Sequence, residues 1–292
     1  MSSRILKKLN LGRKRHKSAV KTSYKGQNFY FRKSIKPNMP LVVRLHNWGS
    51  TYNNYDVLIS DKAAEFDWNY IHPNFQGPNN HPDSCGSDKA VSDIDHAIEY
   101  AISQGNVDKS KIYILGVSGG GHAGLSHFFK SDYKINTYMV WVPITNIEDW
   151  YYESLGRGNH YHKDIWAITQ SNDTLNVEDA RRRSPIFMNT PKDKLKETKL
   201  KIYAGVHDGY TGEVPMTHSL KFYNKLAKEF GEEEINQEEI LYLLEKRRGK
   251  EIEGKIGNRD IHLHKSFKNV EVTIFEGSHE VLGKYAMDTL KL

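Results

Sequence analysis

The chain has 292 residues, 38% of them hydrophobic, with 42 Lys or Arg, 36 Asp or Glu and a formal net charge of +6. That length suits one α/β domain with insertions and a large buried core. The single cysteine, Cys85, excludes an internal disulfide, and no apolar run has the length of a signal-peptide core or a membrane span.

Charge is unevenly spread. The first acid is Asp56; the residues before it hold 13 Lys or Arg, leaving 29 basic against 36 acidic residues in the rest. The body is therefore acidic, and the excess positive charge is N-terminal. Residues 1–26 read as a flexible basic arm, densest at Arg13-Lys14-Arg15-His16-Lys17. Such an arm is either solvated or a dock for an anionic partner: nucleic acid, anionic lipid or an acidic protein. One cysteine and no leader segment together fit a cytoplasmic setting.

The body, 27–292, opens with an alternating strand at 27–33. Residues 41–45 form a buried strand that runs into His46-Asn47-Trp48-Gly49, a turn able to offer a backbone N–H. Trp48 is the expected donor and Asn47 the alternative; an ordinary turn is the other reading. A further strand is expected at 66–71. The loop 74–86 is rich in Pro, Gly and Asn and carries Cys85, which is conceivable as a nucleophile. Residues 87–104 repeat Ala90, Ile94, Ala97, Ile98 and Ala101 at helical spacing, with Ser87 as N-cap.

A polar turn at 107–110 then leads into the strand 112–115 and Gly116-Val117-Ser118-Gly119-Gly120. Strand, Gly-x-Ser-x-Gly and a small-residue helix start are the layout of a nucleophile elbow, in which the nucleophile takes a strained backbone and its neighbours two residues away must lack bulk. Ser118 is the candidate nucleophile, and the Gly119 N–H points at the same space. A glycine-rich turn without chemistry is the bland alternative, and the partners downstream decide against it. In hydrolases with this elbow an acid and then a histidine follow in chain order. The segment 199–209 reads as a strand running into the Gly-flanked acid Asp208, and the segment 269–279 as a strand of period two running into His279. Both lie just past a strand's C-terminal end, where open parallel sheets carry their sites. His207 precedes Asp208 and points away in an extended segment. His122 is expected to be packed or capping, and His46 belongs to another loop.

Between the elbow and the acid, 137–142 reads as a strand. Residues 143–191 form an irregular aromatic excursion with Trp150, Tyr151, Tyr152, Tyr161 and Trp166. It reads either as a substrate platform or as a satellite core. Trp150, Tyr151, Trp166 and, beside the acid, Tyr210 are the candidate substrate contacts. After Asp208 come helices at 217–230 and 236–248, the second capped by Asn236 with Glu239 at its third position and Gly249 as stop. Residues 280–290 close the chain as a helix.

These motifs resemble the α/β-hydrolase superfamily and, within it, the prolyl oligopeptidase-like group. Asp208 followed by Val214-Pro215 and a helix, and Ser184-Pro185-Ile186 ahead of the acid's strand, carry the narrower likeness. The resemblance spans roughly residues 40–290. It implies a mostly parallel central sheet flanked by helices, with the aromatic excursion as a cap or lid. It implies a serine hydrolase with the triad Ser118, Asp208 and His279, with Gly119 and Trp48 as oxyanion donors, and with neither cofactor nor metal. Large peptidases of the group carry an N-terminal propeller, for which this chain has no room. That tilts the expectation towards a carboxylic ester, a small-molecule or saccharide ester, with a small peptidase and a noncatalytic docking protein as alternatives.

Overall fold

The computed structural model describes residues 19–291. Ten strands form one sheet: β1 (Val20–Tyr24), β2 (Gln27–Arg32), β3 (Met39–Leu45), β4 (Asn69–Pro73), β5 (Val107–Val117), β6 (Thr137–Trp141), β7 (Lys199–Gly205), β8 (Lys255–Ile256), β9 (Arg259–Phe267) and β10 (Val270–Phe275). Their order is β1-β2-β4-β3-β5-β6-β7-β10-β9-β8. The strands from β4 through β3, β5, β6 and β7 to β10 pair in parallel, and both flanks are antiparallel. This is the α/β-hydrolase architecture expected from the elbow.

The central strands are buried on both faces, and alternate residues serve different cores. Leu41, Val43, Ile112 and Ile114 enter one cluster; Val42, Tyr113 and Leu115 enter the other. Helices α2 (Asp88–Ser103), α3 (Gly119–Lys130) and α7 (Thr217–Phe230) cover the first face, and α1 (Val57–Glu65) and α9 (Gly283–Lys291) the second. The excursion folds as α4 (Ile147–Gly156), α5 (Tyr161–Ile168) and α6 (Val177–Arg182) around its own core of Ile144, Ile147, Trp150, Tyr151, Ile165 and Ile168. Helix α8 (Gln237–Lys246) is peripheral, with Leu243 as its buried residue.

Several local expectations are corrected. Val20–Tyr24 pairs with β2, so a hairpin edge strand occupies what reads as the end of the basic arm; residues 1–18, with the densest charge and the expected anionic partner, lie outside the described residues. The strand expected at 66–71 starts only at Asn69, because Phe66 caps α1 and Asp67 turns with φ of 56°. Residues 107–110 are strand, not turn, since Met39 pairs with Val107. Helix α8 stops at Lys246 with Arg247 left-handed at φ 54°. Gly249 instead lets β9 approach: a Cβ there would stand 2.1 Å from the His262 carbonyl oxygen. The last helix begins at Gly283, after a turn in which the Glu280 N–H donates to the Ser278 carbonyl.

Candidate active site

The parallel register brings the C-terminal ends of β3, β5, β7 and β10 to one edge of the sheet. Trp48 follows β3, Ser118 follows β5, Asp208 follows β7 and His279 follows β10. Every catalytic or oxyanion candidate named from the sequence thus leaves the sheet on the same side, where a site forms in such folds.

Ser118 sits between β5 and α3 with φ 57° and ψ −119°. A non-glycine residue held there costs about 1–3 kcal/mol, sustained by the surrounding structure. Its N–H donates to the Trp141 carbonyl at 2.9 Å and its carbonyl accepts from the His122 N–H at 3.0 Å. The flanking glycines are sterically required. A Cβ at Gly116 would lie 2.1 Å from the Gly120 carbonyl oxygen, and one at Gly120 2.3 Å from that of Leu45. The turn is therefore as tight as the motif demands.

His279 and Asp208 meet: Nδ1 of the imidazole lies 2.9 Å from Oδ2 of the carboxylate. The Asp208 side chain is fully buried and that of His279 is 18% exposed. The other carboxylate oxygen, Oδ1, accepts from the N–H groups of Gly209 and Val214 at 3.0 and 3.1 Å. Both oxygens are thus committed, and the buried charge is solvated by fixed donors. With Oδ2 as acceptor the bond calls for the proton on Nδ1, which leaves Nε2 as the nitrogen without one. Gly212 closes over this pair, since a Cβ there would fall 2.3 Å from Asp208 Oδ1 and 2.8 Å from His279 Cβ.

Gly119 is the first residue of α3, so its N–H has no intrahelical acceptor. A Cβ on it would lie 2.6 Å from the Trp48 backbone N. The two expected oxyanion donors are therefore neighbours. The Trp48 carbonyl is held by Asn79, whose N–H and Nδ2 donate to it at 2.9 and 3.3 Å. Nothing in the sequence singles out Asn79 for this part, since loop 74–86 holds several asparagines, Asn74, Asn79 and Asn80.

The aromatic candidates divide. Trp150 and Tyr151 are 1% and 5% exposed and belong to the satellite core. Trp150 stands edge-on to Trp48 at 4.5 Å and donates from Nε1 to the Glu213 carbonyl at 3.3 Å, tying the Trp48 turn to the loop after Asp208. Trp166 is half-buried and donates to the Tyr151 hydroxyl at 3.2 Å. Tyr210 is 71% exposed, with the Arg247 guanidinium 4.9 Å above its ring. Open aromatic surface near the acid loop therefore comes from Tyr210.

The competing side chains are engaged elsewhere. His207 faces Glu276 at 2.7 Å. His46 is buried and stacked on Phe75. His122 is fully buried between the Ile144 carbonyl and Cys85 Sγ. Burial pushes the Cys85 thiol up to about 12, which suppresses the thiolate a cysteine nucleophile requires. Among the described residues no cluster of three or more His, Cys, Asp or Glu is placed to hold a metal ion, and no helix is long and apolar enough to cross a membrane.

Comparison with known proteins follows the same lines. No curated protein matches the sequence. Similar solved structures include the uncomplexed acylaminoacyl peptidase of Pyrococcus horikoshii, at TM-score 0.61 and 18% identity, covering 95% of this chain and 40% of that one. A puromycin-hydrolyzing peptidase of Mycobacterium tuberculosis matches at 0.56 and 14%, covering 94% and 38%. Oligopeptidase B of Leishmania major matches at 0.57 and 10%, covering 93% and 35%. The chain spans 40% or less of the length of these three proteins. At such identities the likeness speaks to the fold. The prolyl oligopeptidase family itself matches residues 86–244, a stretch that holds both Ser118 and Asp208. Elbow, sheet order and sequence match agree: the chain belongs to the prolyl oligopeptidase family.

Proposed function

We propose that the chain is a serine hydrolase that cleaves acyl bonds through a covalent acyl-enzyme. Ser118 Oγ attacks the carbonyl carbon while His279 Nε2 takes its proton. Asp208 holds the imidazole tautomer and stabilises the imidazolium. The N–H groups of Gly119 and Trp48 receive the developing oxyanion. His279 then protonates the leaving group, and water, deprotonated by the same nitrogen, releases the acid. The observation that carries this reading is the 2.9 Å pairing of His279 Nδ1 with buried Asp208, at the sheet edge that also bears strained Ser118.

The scissile bond is proposed to be a carboxylic ester, of a saccharide or an aromatic acyl group. Tyr210, exposed beside the acid loop, supplies an aromatic surface on which a ring can stack. A second reading, peptide-bond hydrolysis, is favoured by the solved relatives, which are described as peptidases. It stands on at least as firm a footing. The test is turnover of p-nitrophenyl acetate, sugar acetates and peptide p-nitroanilides by wild type and Ser118→Ala. Ester turnover that vanishes with Ser118 supports the first reading, and anilide turnover that vanishes with Ser118 supports the second. Equal rates in both proteins refute both.

A further inference from the structure

We propose that Asp164, on helix α5 of the aromatic excursion, is a positioning residue for the oxyanion hole, acting through the side chain of Trp48. The inference rests on the hydrolase reading above and adds a residue to it. Trp48 Nε1 donates to Asp164 Oδ2 at 3.0 Å, across 116 residues of sequence. The indole is 3% exposed, with the Trp150 ring edge-on at 4.5 Å. Asn79 fixes the Trp48 carbonyl from the other side. The side chain and the carbonyl of this one residue are thus each held by a separate anchor, and its backbone N stands against Gly119.

The physical need is plain. An oxyanion donor works only when it lies about 2.7–3.1 Å from the position the oxygen will take. Trp48 is in a turn, with no strand ladder to fix its peptide plane. A wide, rigid side chain pinned at its far nitrogen fixes that plane instead. Asp164 is half-buried, and burial raises its pKa while the indole N–H opposes the rise. Its carboxylate oxygen accepts from Trp48 in either protonation state, so the anchor needs an acceptor and not a charge. The excursion is therefore more than a cover: one of its side chains sets the geometry of the catalytic edge.

The experiment uses the full chain and p-nitrophenyl acetate, with Ser118→Ala as the blank. Asp164→Leu is expected to lower kcat by about ten- to a hundredfold with KM changed by less than about twofold. Asp164→Asn, whose amide oxygen accepts the same N–H, is expected to stay within about threefold of wild type. Trp48→Phe removes the donor from the other side and should lose as much kcat as Asp164→Leu. The double variant Trp48→Phe/Asp164→Leu should be no worse than Trp48→Phe alone. Wild-type kcat in Asp164→Leu, or an equal loss in Asp164→Asn, overturns the proposal. Should Asp164→Leu fail to fold by circular dichroism, Trp48→Phe decides: wild-type kcat in it overturns the proposal equally. A wild type without Ser118-dependent turnover of p-nitrophenyl acetate, sugar acetates and peptide p-nitroanilides overturns the hydrolase reading, and this proposal with it; where the anilide alone is turned over, the same variants are read on it.

Discussion

At Gly212 a methyl group has nowhere to go. Its Cβ would sit 2.3 Å from the carboxylate oxygen that fixes the acid loop and 2.8 Å from the Cβ of His279. Its φ lies outside the left-handed region, so alanine meets a clash and not backbone strain. Gly212→Ala is expected to push His279 and Asp208 apart, lowering kcat about a hundredfold while the protein still folds. Steady-state kinetics with a circular dichroism spectrum check this, and unchanged kcat would contradict it. The Asp208–His279 bond has its own consequence. Asp208→Asn keeps the shape but favours the wrong imidazole tautomer, and should lower kcat by about 10⁴ at neutral pH. A loss below tenfold would mean that His279 is oriented by something else.

Helix α2 shows how element-scale signals act. The Ser87 hydroxyl accepts from the Ala90 N–H at 3.0 Å, which satisfies one of the free donors of the first turn. Ser87→Ala should cost about 1 kcal/mol, read as a lower urea midpoint with an unchanged slope. Signals of this kind made much of the fold legible. Ser87, the apolar spacing of α2 and the 217–230 helix all stand where the sequence pointed. The strands behind Ser118, Asp208 and His279 were legible because central parallel strands are apolar on both faces. Edge elements were not. Strand β9 interleaves His262, His264 and Lys265 with its apolar residues, since it pairs at the sheet's margin, and no strand pattern stands out there. Helix α1 has a proper cap in Asp56, whose carboxylate accepts from the Ile59 N–H at 3.1 Å, but its apolar residues lack clear spacing. No local pattern announces the bond from Trp48 to Asp164, because its two ends meet only when the excursion folds back over the sheet edge.

For the molecule as a whole, buried histidines set the acid limit of stability. Burial strips water from the charged form and holds His46 and His122 at about 4, below the ordinary value near 6.5. His72 is lowered well below that value and His127 is lowered despite its Asp95 partner, in both cases chiefly by burial. Below about pH 6.5 the unfolded chain binds protons that the folded chain refuses. Their contribution to stability is therefore complete above that pH and lost as pH falls from about 6.5 towards 4. The urea midpoint should drop between pH 7 and pH 5, and a flat profile would contradict neutral burial of these rings. The proposed mechanism gathers Ser118, Asp208 and His279 at one sheet edge, so one chemical measurement on Ser118 reaches its central claim. A fluorophosphonate transfers its phosphonyl group to an activated serine oxygen, with fluoride leaving and the hydroxyl proton passing to the base. Intact-mass and peptide mass spectrometry of the labelled wild type should find one adduct, on the peptide containing Ser118, and none in His279→Ala. No adduct on the folded wild type, or an adduct on a different residue, would contradict the assignment of Ser118 as the nucleophile.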